Sequence, residues 1–331
     1  MITRRPQRGV ILLGLMLLLI LATGIFLLQR ANGTTATALD REAKTVAALS
    51  AAREALLASA VRDPNHPDNP GSLPCPDIKT NISGNNVPGD GKADLFVGNS
   101  VCPAYVGWLP WRTLDLNDPR DAAGESLWYA LSPNFRVGMA INSNTIGTLS
   151  LDGHGDIVAL IIAPGGALAG QSRPSANVAD YLDDLNGNPA TSNRDGSEQY
   201  FSGSADSHFN DHLVALDRNT LMNALAPRIL GEIRQAARAA GGALPFADSD
   251  NDGYPDPDKL SGRFPYRYSD PPPPAAGDPP LPSDTCGGGG SCWHDVLMNN
   301  GWFPLITYTV AADRATATIT FDFNGKTMNL P

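Results

Sequence analysis

Residues 10–28 carry no charged side chain, and Arg4, Arg5, Arg8 and Gly9 stand directly before them. As a helix this run spans about 28 Å at 1.5 Å per residue, close to the hydrocarbon thickness of a bilayer. The apolar core of a secretory signal is shorter and runs straight into a small-residue cleavage site. Here the A-x-A pattern at Ala36 and Ala38 is separated from the apolar run by Gln29 and Arg30. The sequence therefore predicts a retained membrane helix, with the arginines holding the N-terminus inside and the rest of the chain facing outward.

That topology governs the reading of the remainder. The net charge is −10, with Gly 33 and Pro 28 among 331 residues. An acidic exported part argues against nucleic acid as a partner, and the recurring large apolar residues argue for a loop-rich folded head rather than disorder. Cys75, Cys102, Cys286 and Cys292 read as disulfides in an exported protein. Of the three possible pairings, the local one, Cys75–Cys102 and Cys286–Cys292, is expected, because each pair lies in its own segment. Neither pair has the short spacing of a zinc site.

Leu39, Ala43, Val46, Leu49, Leu56 and Ala60 recur at helical steps in a stretch rich in Ala, Glu, Arg and Leu. They predict a helix that continues from the apolar run to about Arg62, before Pro64. "IGTLSL" and "DIVALIIAP" read as strands. "DRNTLMNALAPRILGEIRQAARAAGG" reads as a second amphipathic helix, capped by Asp217 or Asn219 and stopped at Gly241–Gly242. "ATATITFDFNGKTMNL" reads as a closing hairpin turned at Asn-Gly. Trp108, Trp111, Trp128, Trp293 and Trp302 are expected in the core.

The order of features repeats. "AAREALLASAV…GSLPCPD…GDGKAD…C…GWLPW" is answered by "EIRQAARAA…GALPFADSDNDGYPD…C…GWFPL". Leu73-Pro74 matches Leu244-Pro245, and Gly107-Trp108 is set against Gly301-Trp302. The expected fold class is α+β: a long N-terminal membrane-spanning helix and a periplasmic or extracellular head of two related α+β units. The expected divisions are a leader (1–9), a membrane and stem helix (10–62), a first unit (63–212) and a second unit (213–331).

"DSDNDGYPDPD" is the strongest chemical signal. Asp248, Asp250 and Asp252 alternate, Gly253 permits a sharp turn, and Asp256 and Asp258 follow. Alternate carboxylates converging on one hard cation are the front half of a calcium loop. The bidentate Glu at the twelfth position is missing, since Lys259 stands there. Five carboxylates this close would repel one another without a cation, so calcium is the expected cofactor. "NNVPGDGKAD" is a partial copy with Asn86, Asp90 and Asp94 at ligand spacing and Pro88 in place of one ligand, and Asp77 is able to complete it. His208 and His212 lie four apart beside Asp211, but H-E-x-x-H is absent. A solvated loop leading into a helix accounts for them better than a metal pair. No G-x-S-x-G occurs, and "IIAPGGALAG" lacks a dinucleotide or phosphate-loop fingerprint.

The basic leader ending in Gly9, the uncharged run and the amphipathic stem together resemble the N-terminus of the type IV pilin and type II secretion pseudopilin superfamily. The resemblance covers the leader and residues 10–62. It implies cleavage between Gly9 and Val10 by a prepilin peptidase, and methylation of the new N-terminus. It also implies packing of the helix against other pilin or pseudopilin subunits in a filament anchored in the bacterial inner membrane. That is a single-pass placement, with the head periplasmic or extracellular. Family members mostly carry Glu as the fifth residue after the cut, and here that residue is Gly14. The carboxylate neutralises a neighbour's buried amine. Its absence, the large head and the acidic loop resemble the K-type minor pseudopilins of the filament tip. The expected function is thus a minor pilin or pseudopilin, not an enzyme. The alternatives are an exported, membrane-tethered hydrolase using His208 and His212, or a calcium-dependent adhesin on an uncleaved anchor.

Overall fold

In the computed structural model the described residues are 39–62, 68–78, 89–94, 101–240, 242–266 and 293–331. Helix α1 is described over residues 39–62. Leu49, Ala52, Leu56 and Ala60 are buried along it at three- and four-residue steps. Arg53 Nε donates to Ala215 O at 2.8 Å, tying the helix to the strand beneath.

Strands β1 (Val106–Trp108), β2 (Trp128–Leu131), β3 (Leu149–Leu151), β4 (His154–Ala163), β5 (Gln199–Tyr200) and β6 (His212–Asp217) form one sheet, ordered β1-β2-β4-β3-β5 with β6 also on β4. β4 is its spine. It is buried continuously from Ile157 to Ala163, the pattern of a strand covered on both faces. Val158, Ile161 and Ala163 enter the main core, and Leu160 and Ile162 enter a second, smaller one with Trp108, Trp128, Tyr181 and Tyr200. Strands β7 (Ser261–Arg263), β8 (Ile306–Val310), β9 (Ala317–Phe321) and β10 (Lys326–Leu330) form a second, antiparallel sheet ordered β10-β9-β8-β7. The closing hairpin is β9–β10, with Lys326 opposite Phe321 and Gly325 at positive φ in the turn.

Helix α2 (Arg218–Ala240) touches β4 and β6 of the first sheet and β9 and β10 of the second. Leu221, Met222, Leu225, Ala226, Ile229, Leu230 and Ile233 are buried along it, so one helix supplies apolar surface to both sheets. Of the two candidate caps, Asp217 is the one used: its Oδ1 accepts from Thr220 N at 2.8 Å. Helix α3 is Trp293–Asn299.

The expected fold class is corrected. The described residues are built on two sheets with three helices, and Ala48–Pro331 forms one compact unit rather than two. The reason is α2: its apolar residues join both sheets in a single main core, leaving no boundary at residue 212. The membrane-spanning helix and the single-pass inner-membrane placement are corrected too. Among the described residues no helix is long and apolar enough to cross a membrane. α1 carries Asp40, Arg41, Glu42, Lys44, Arg53, Glu54 and Arg62, and a charge at the centre of a bilayer is costly. The apolar run 10–28, Gly9, Val10, Gly14, Cys286 and Cys292 lie outside the described residues. The Cys75–Cys102 disulfide is formed, with Cα atoms 5.4 Å apart.

One buried side chain links distant stretches of this unit. Asn300, just after α3, accepts at Oδ1 from Ile141 N at 3.1 Å and from Asn69 Nδ2 at 3.3 Å. Its Nδ2 donates to Asp68 O at 3.0 Å and Val296 O at 2.8 Å. Truncation would unpair the buried Ile141 N and remove a bond from Val296 O, Asp68 O and Asn69 Nδ2, at about 1–3 kcal/mol for each group left unpaired away from water. Asn300→Ala is therefore expected to lower the unfolding free energy by about 3 kcal/mol in urea titration. Asn144→Ala, at an exposed turn, is expected to change it by less than about 0.5 kcal/mol.

Candidate metal centre

The acidic loop begins where Leu244-Pro245-Phe246-Ala247 delivers Asp248 to the edge of β7. Asp248 N donates to Arg263 O at 3.1 Å, and Arg263 N donates to Asp248 O at 2.6 Å. The Asp248 side chain then turns back into its own loop. Oδ1 accepts from Asn251 N at 2.6 Å and Asp252 N at 3.2 Å, and Oδ2 accepts from Gly253 N at 2.8 Å. These bonds hold the chain in a tight ring, with Asn251 and Gly253 both at positive φ. Burial pushes the Asp248 carboxyl above its usual value, against the pull of the Gly253 and Asn251 amides. Asp256 closes the ring from the far side, accepting from the hydroxyl and amide of Ser249, which hold its carboxyl below the usual value.

Three of the five expected ligands are brought together. Carboxylate oxygens of Asp248, Asp250 and Asp256 lie within 4.8 Å of one another, from a buried, an exposed and a half-buried residue. Oxygens this close fit a shared hard cation bound at 2.3–2.6 Å. Asp252 is outside this grouping; its Oδ1 accepts from Tyr254 N at 2.8 Å. Asp258 is also outside it, exposed and at φ 66°. Among the described residues this is the one grouping of three potential ligands.

The partial copy does not gather in this way. Asn86 lies outside the described residues. Asp90 Oδ1 accepts from Lys92 N at 2.8 Å, and the buried Asp94 accepts from Ile78 N at 2.9 Å. Asp77 instead repeats the role of Asp248. Its two oxygens accept from Gly89 N at 2.8 Å and Gly91 N at 2.7 Å. Burial pushes its carboxyl up to about 6, with the negative charges of Asp94 and Asp90 adding to the rise. A cavity of about 260 Å³ opens beside it, lined in part by Trp111, Asp118, Arg120 and Ser126.

The two aspartates reveal a repeat that differs from the one read in the sequence. Asp77 bridges antiparallel to Trp108, and Asp248 to Arg263. Gly107 lies opposite Tyr129 across β1–β2, and Gly262 lies opposite Tyr308 across β7–β8. Tyr129 OH donates to Pro74 O at 3.2 Å, and Tyr308 OH to Pro245 O at 2.9 Å. Leu-Pro-x-x-Asp, a glycine strand and a tyrosine strand thus recur in the same arrangement. The structural partner of Gly107 is Gly262, not Gly301, which follows α3. The signal for this was "WYAL" against "TYTV", hidden because the matching strands share little else.

The histidines stay apart from this chemistry. His208 Nδ1 lies 3.0 Å from Ser207 Oγ on an exposed turn, and His212 opens β6, a strand where a helix was expected. Asp211 between them is buried and serves a different network. No family model, curated protein or solved structure matches the chain.

The glycine strands explain how close the loop lies. A Cβ on Gly262 would stand 2.1 Å from Asp248 O, and one on Gly107 would stand 2.6 Å from Asp77 O. Both clashes are with backbone, which cannot swing aside. Gly262→Ala and Gly107→Ala are each expected to cost about 2–3 kcal/mol in chemical denaturation. Gly155→Ala, where a Cβ meets nothing within 4 Å, is expected to cost less than about 1 kcal/mol.

Proposed function

We propose that the chain is a minor pilin-type subunit of a type IV pilus or type II secretion filament, matured by cleavage between Gly9 and Val10, with a calcium-stabilised head. The reading rests first on the leader, in which Arg4, Arg5 and Arg8 precede Gly9 and an uncharged run. α1 supports it. Its later apolar positions are buried in the main core, while Leu39 is 71% and Val46 is 48% exposed. Apolar residues left open on one end of a helix suit contact with helices of neighbouring subunits. A subunit with Gly14 in place of the usual Glu suits a tip or minor position. The head then acts by assembly, without catalysis, and a prepilin peptidase is its processing partner.

The maturation test is direct. In cells with a prepilin peptidase, intact-mass measurement is expected to show loss of the first nine residues and gain of one methyl group. An intact Met1 would remove the pilin reading.

Calcium is expected to be held by Asp248, Asp250 and Asp256. A ligand that binds only the folded state adds roughly 2.7 kcal/mol at a hundredfold excess over its dissociation constant. Thermal melting in millimolar calcium is expected to lie several degrees above melting in chelator. Asp250→Ala removes that difference, because the exposed carboxylate has little other work. Asp258→Ala and His208→Ala preserve it. A wild-type melting curve indifferent to calcium would leave the acidic ring as a self-capped turn.

A further inference from the structure

β4 and β6 are antiparallel neighbours, with Ala163 directly opposite His212. Two residues would suffice to join them. The chain instead leaves at 164 and returns at 211, and the intervening excursion covers the second face of the six-stranded sheet. Tyr181 and Leu182 from it close over Trp108, Trp128, Leu160 and Ile162, and further along the excursion re-enters the sheet as β5, which brings Tyr200 into the same cluster. The Tyr181 ring lies 5.2 Å from Trp128 and 5.9 Å from Trp108.

The excursion is fastened at its neck by two buried carboxyl groups. Asp211 Oδ2 accepts from Asp183 N at 3.0 Å and from Asn193 Nδ2 at 2.9 Å. Asp183 in turn accepts from Asn210 N and from Gln171 Nε2, each at 2.8 Å. Asn193 carries the clasp onward, pairing both ways with the backbone of Phe201. Asp211 is 3% and Asp183 is 2% exposed, and Asp211 Oδ1 has no hydrogen-bond partner among the described residues. A carboxylate stranded in this way is costly, whereas a neutral carboxyl at the same place is tolerated.

We infer that residues 164–198, the part of the excursion before β5, are a proton-latched flap, closed over the aromatic face of the sheet while the Asp183–Asp211 pair holds a proton and loosened as the pair ionises fully. The surroundings fit a proton on Asp211 better than two ionised carboxylates. Arg173 is a cation whose charge acts on both carboxyls, but its guanidinium is spent on the carbonyls of Gly165, Asp180 and Tyr181, and it also pairs with Glu125 at 3.5 Å. Arg194 faces Asp183 and is paired with Asp184. Asp121 accepts from Gly165 N where the excursion begins, and Asp180 is engaged by Ser175. His212 follows Asp211 on β6, and the exposed His208 lies over Gly187.

Burial pushes the Asp211 carboxyl from 3.8 up to about 8, and the charge of Asp183 adds to the rise. Burial raises Asp183 as well. A carboxyl raised in the closed state favours closure fully below its free value. That advantage is lost as the pH climbs through the closed-state value. Opening is thus expected to grow by as much as about tenfold per pH unit between 3.8 and about 8, and then to level.

The test is limited proteolysis of the full chain from pH 5 to 9, with cleavage inside 165–198 normalised to a free peptide of the same residues. The wild type is expected to rise steeply and level near pH 8. Asp211→Asn keeps an acceptor for Asp183 N and cannot ionise, so its profile is expected to be flat. His208→Gln and His212→Gln are expected to keep the wild-type slope. A flat wild-type profile, a slope that survives Asp211→Asn, or one lost with either histidine overturns the proposal. Infrared difference spectra of the wild type give a readout that needs no variant. A protonated-carboxyl stretch is expected at pH 6 and lost with a midpoint near 8, and its absence at pH 6 also overturns the proposal.

Discussion

The buried aspartate at the end of each Leu-Pro-x-x-Asp segment makes two commitments with one residue. Its backbone exchanges hydrogen bonds with an adjacent strand, at Trp108 or Arg263. Its side chain gathers amides of the loop that follows, Gly89 and Gly91 in one case, Asn251, Asp252 and Gly253 in the other. A buried carboxylate is tolerated only when its oxygens are satisfied, so each loop is drawn inward to supply the donors. The loop then lies so close that its neighbouring strand must offer glycine. The tyrosine opposite that glycine reaches over to the proline carbonyl three residues before the aspartate. Loop path, strand composition and cross-strand pair all follow from placing one carboxyl under the sheet edge.

This dependence also sets what the sequence could disclose. Periodicity exposed α1 and α2 because their buried residues follow helical spacing, and the continuous apolar run of β4 exposed a strand covered on both faces. The Asn-Gly hairpin and the Asp217 cap are local chemistry and were legible for that reason. The repeated Leu-Pro-x-x-Asp was legible, but its continuation was not. Gly107-Trp108 resembles Gly301-Trp302 letter for letter, yet the structural counterpart of Gly107 is Gly262, whose neighbours are Ser and Arg. A glycine required by close approach leaves no mark on its neighbours, since the clash is with a carbonyl of another segment. In the acidic loop, the alternation of Asp248, Asp250 and Asp252 suggested three convergent carboxylates. The ring closes differently: Asp252 turns to cap Tyr254, and Asp256 takes the third place through Ser249.

The division into two units failed for a related reason. Each copy of the repeat holds an aspartate, a glycine strand and a tyrosine strand, but neither owns a closed core. α2 presents apolar residues to both sheets, and Asn300 joins the backbone at 68, 141 and 296. A helix shared in this way lies midway along the chain and looks, by composition, like the start of a second unit. Only the burial of Leu221, Leu225, Ile229 and their neighbours on all the packed sides shows that it belongs to both.

The two copies have diverged in how the loop is fastened. The third residue of the first segment is Cys75, bonded to Cys102 across 27 residues, and at the same place the second has Phe246. Closing a loop of that length removes about 3–4 kcal/mol of unfolded-state entropy by the chain model. That contribution is fixed once the bond forms. The second loop has no covalent tie at that position. Instead it has three carboxylates within 4.8 Å of one another, whose mutual repulsion works against the hydrogen bonds that close the ring. Under the proposed calcium reading the second fastening varies with the logarithm of free cation, while the first does not. Loss of the cation would then loosen residues 249–258 and the strand they brace, β7, which is the edge of the second sheet. β1, held by the disulfide-closed copy, would keep its place.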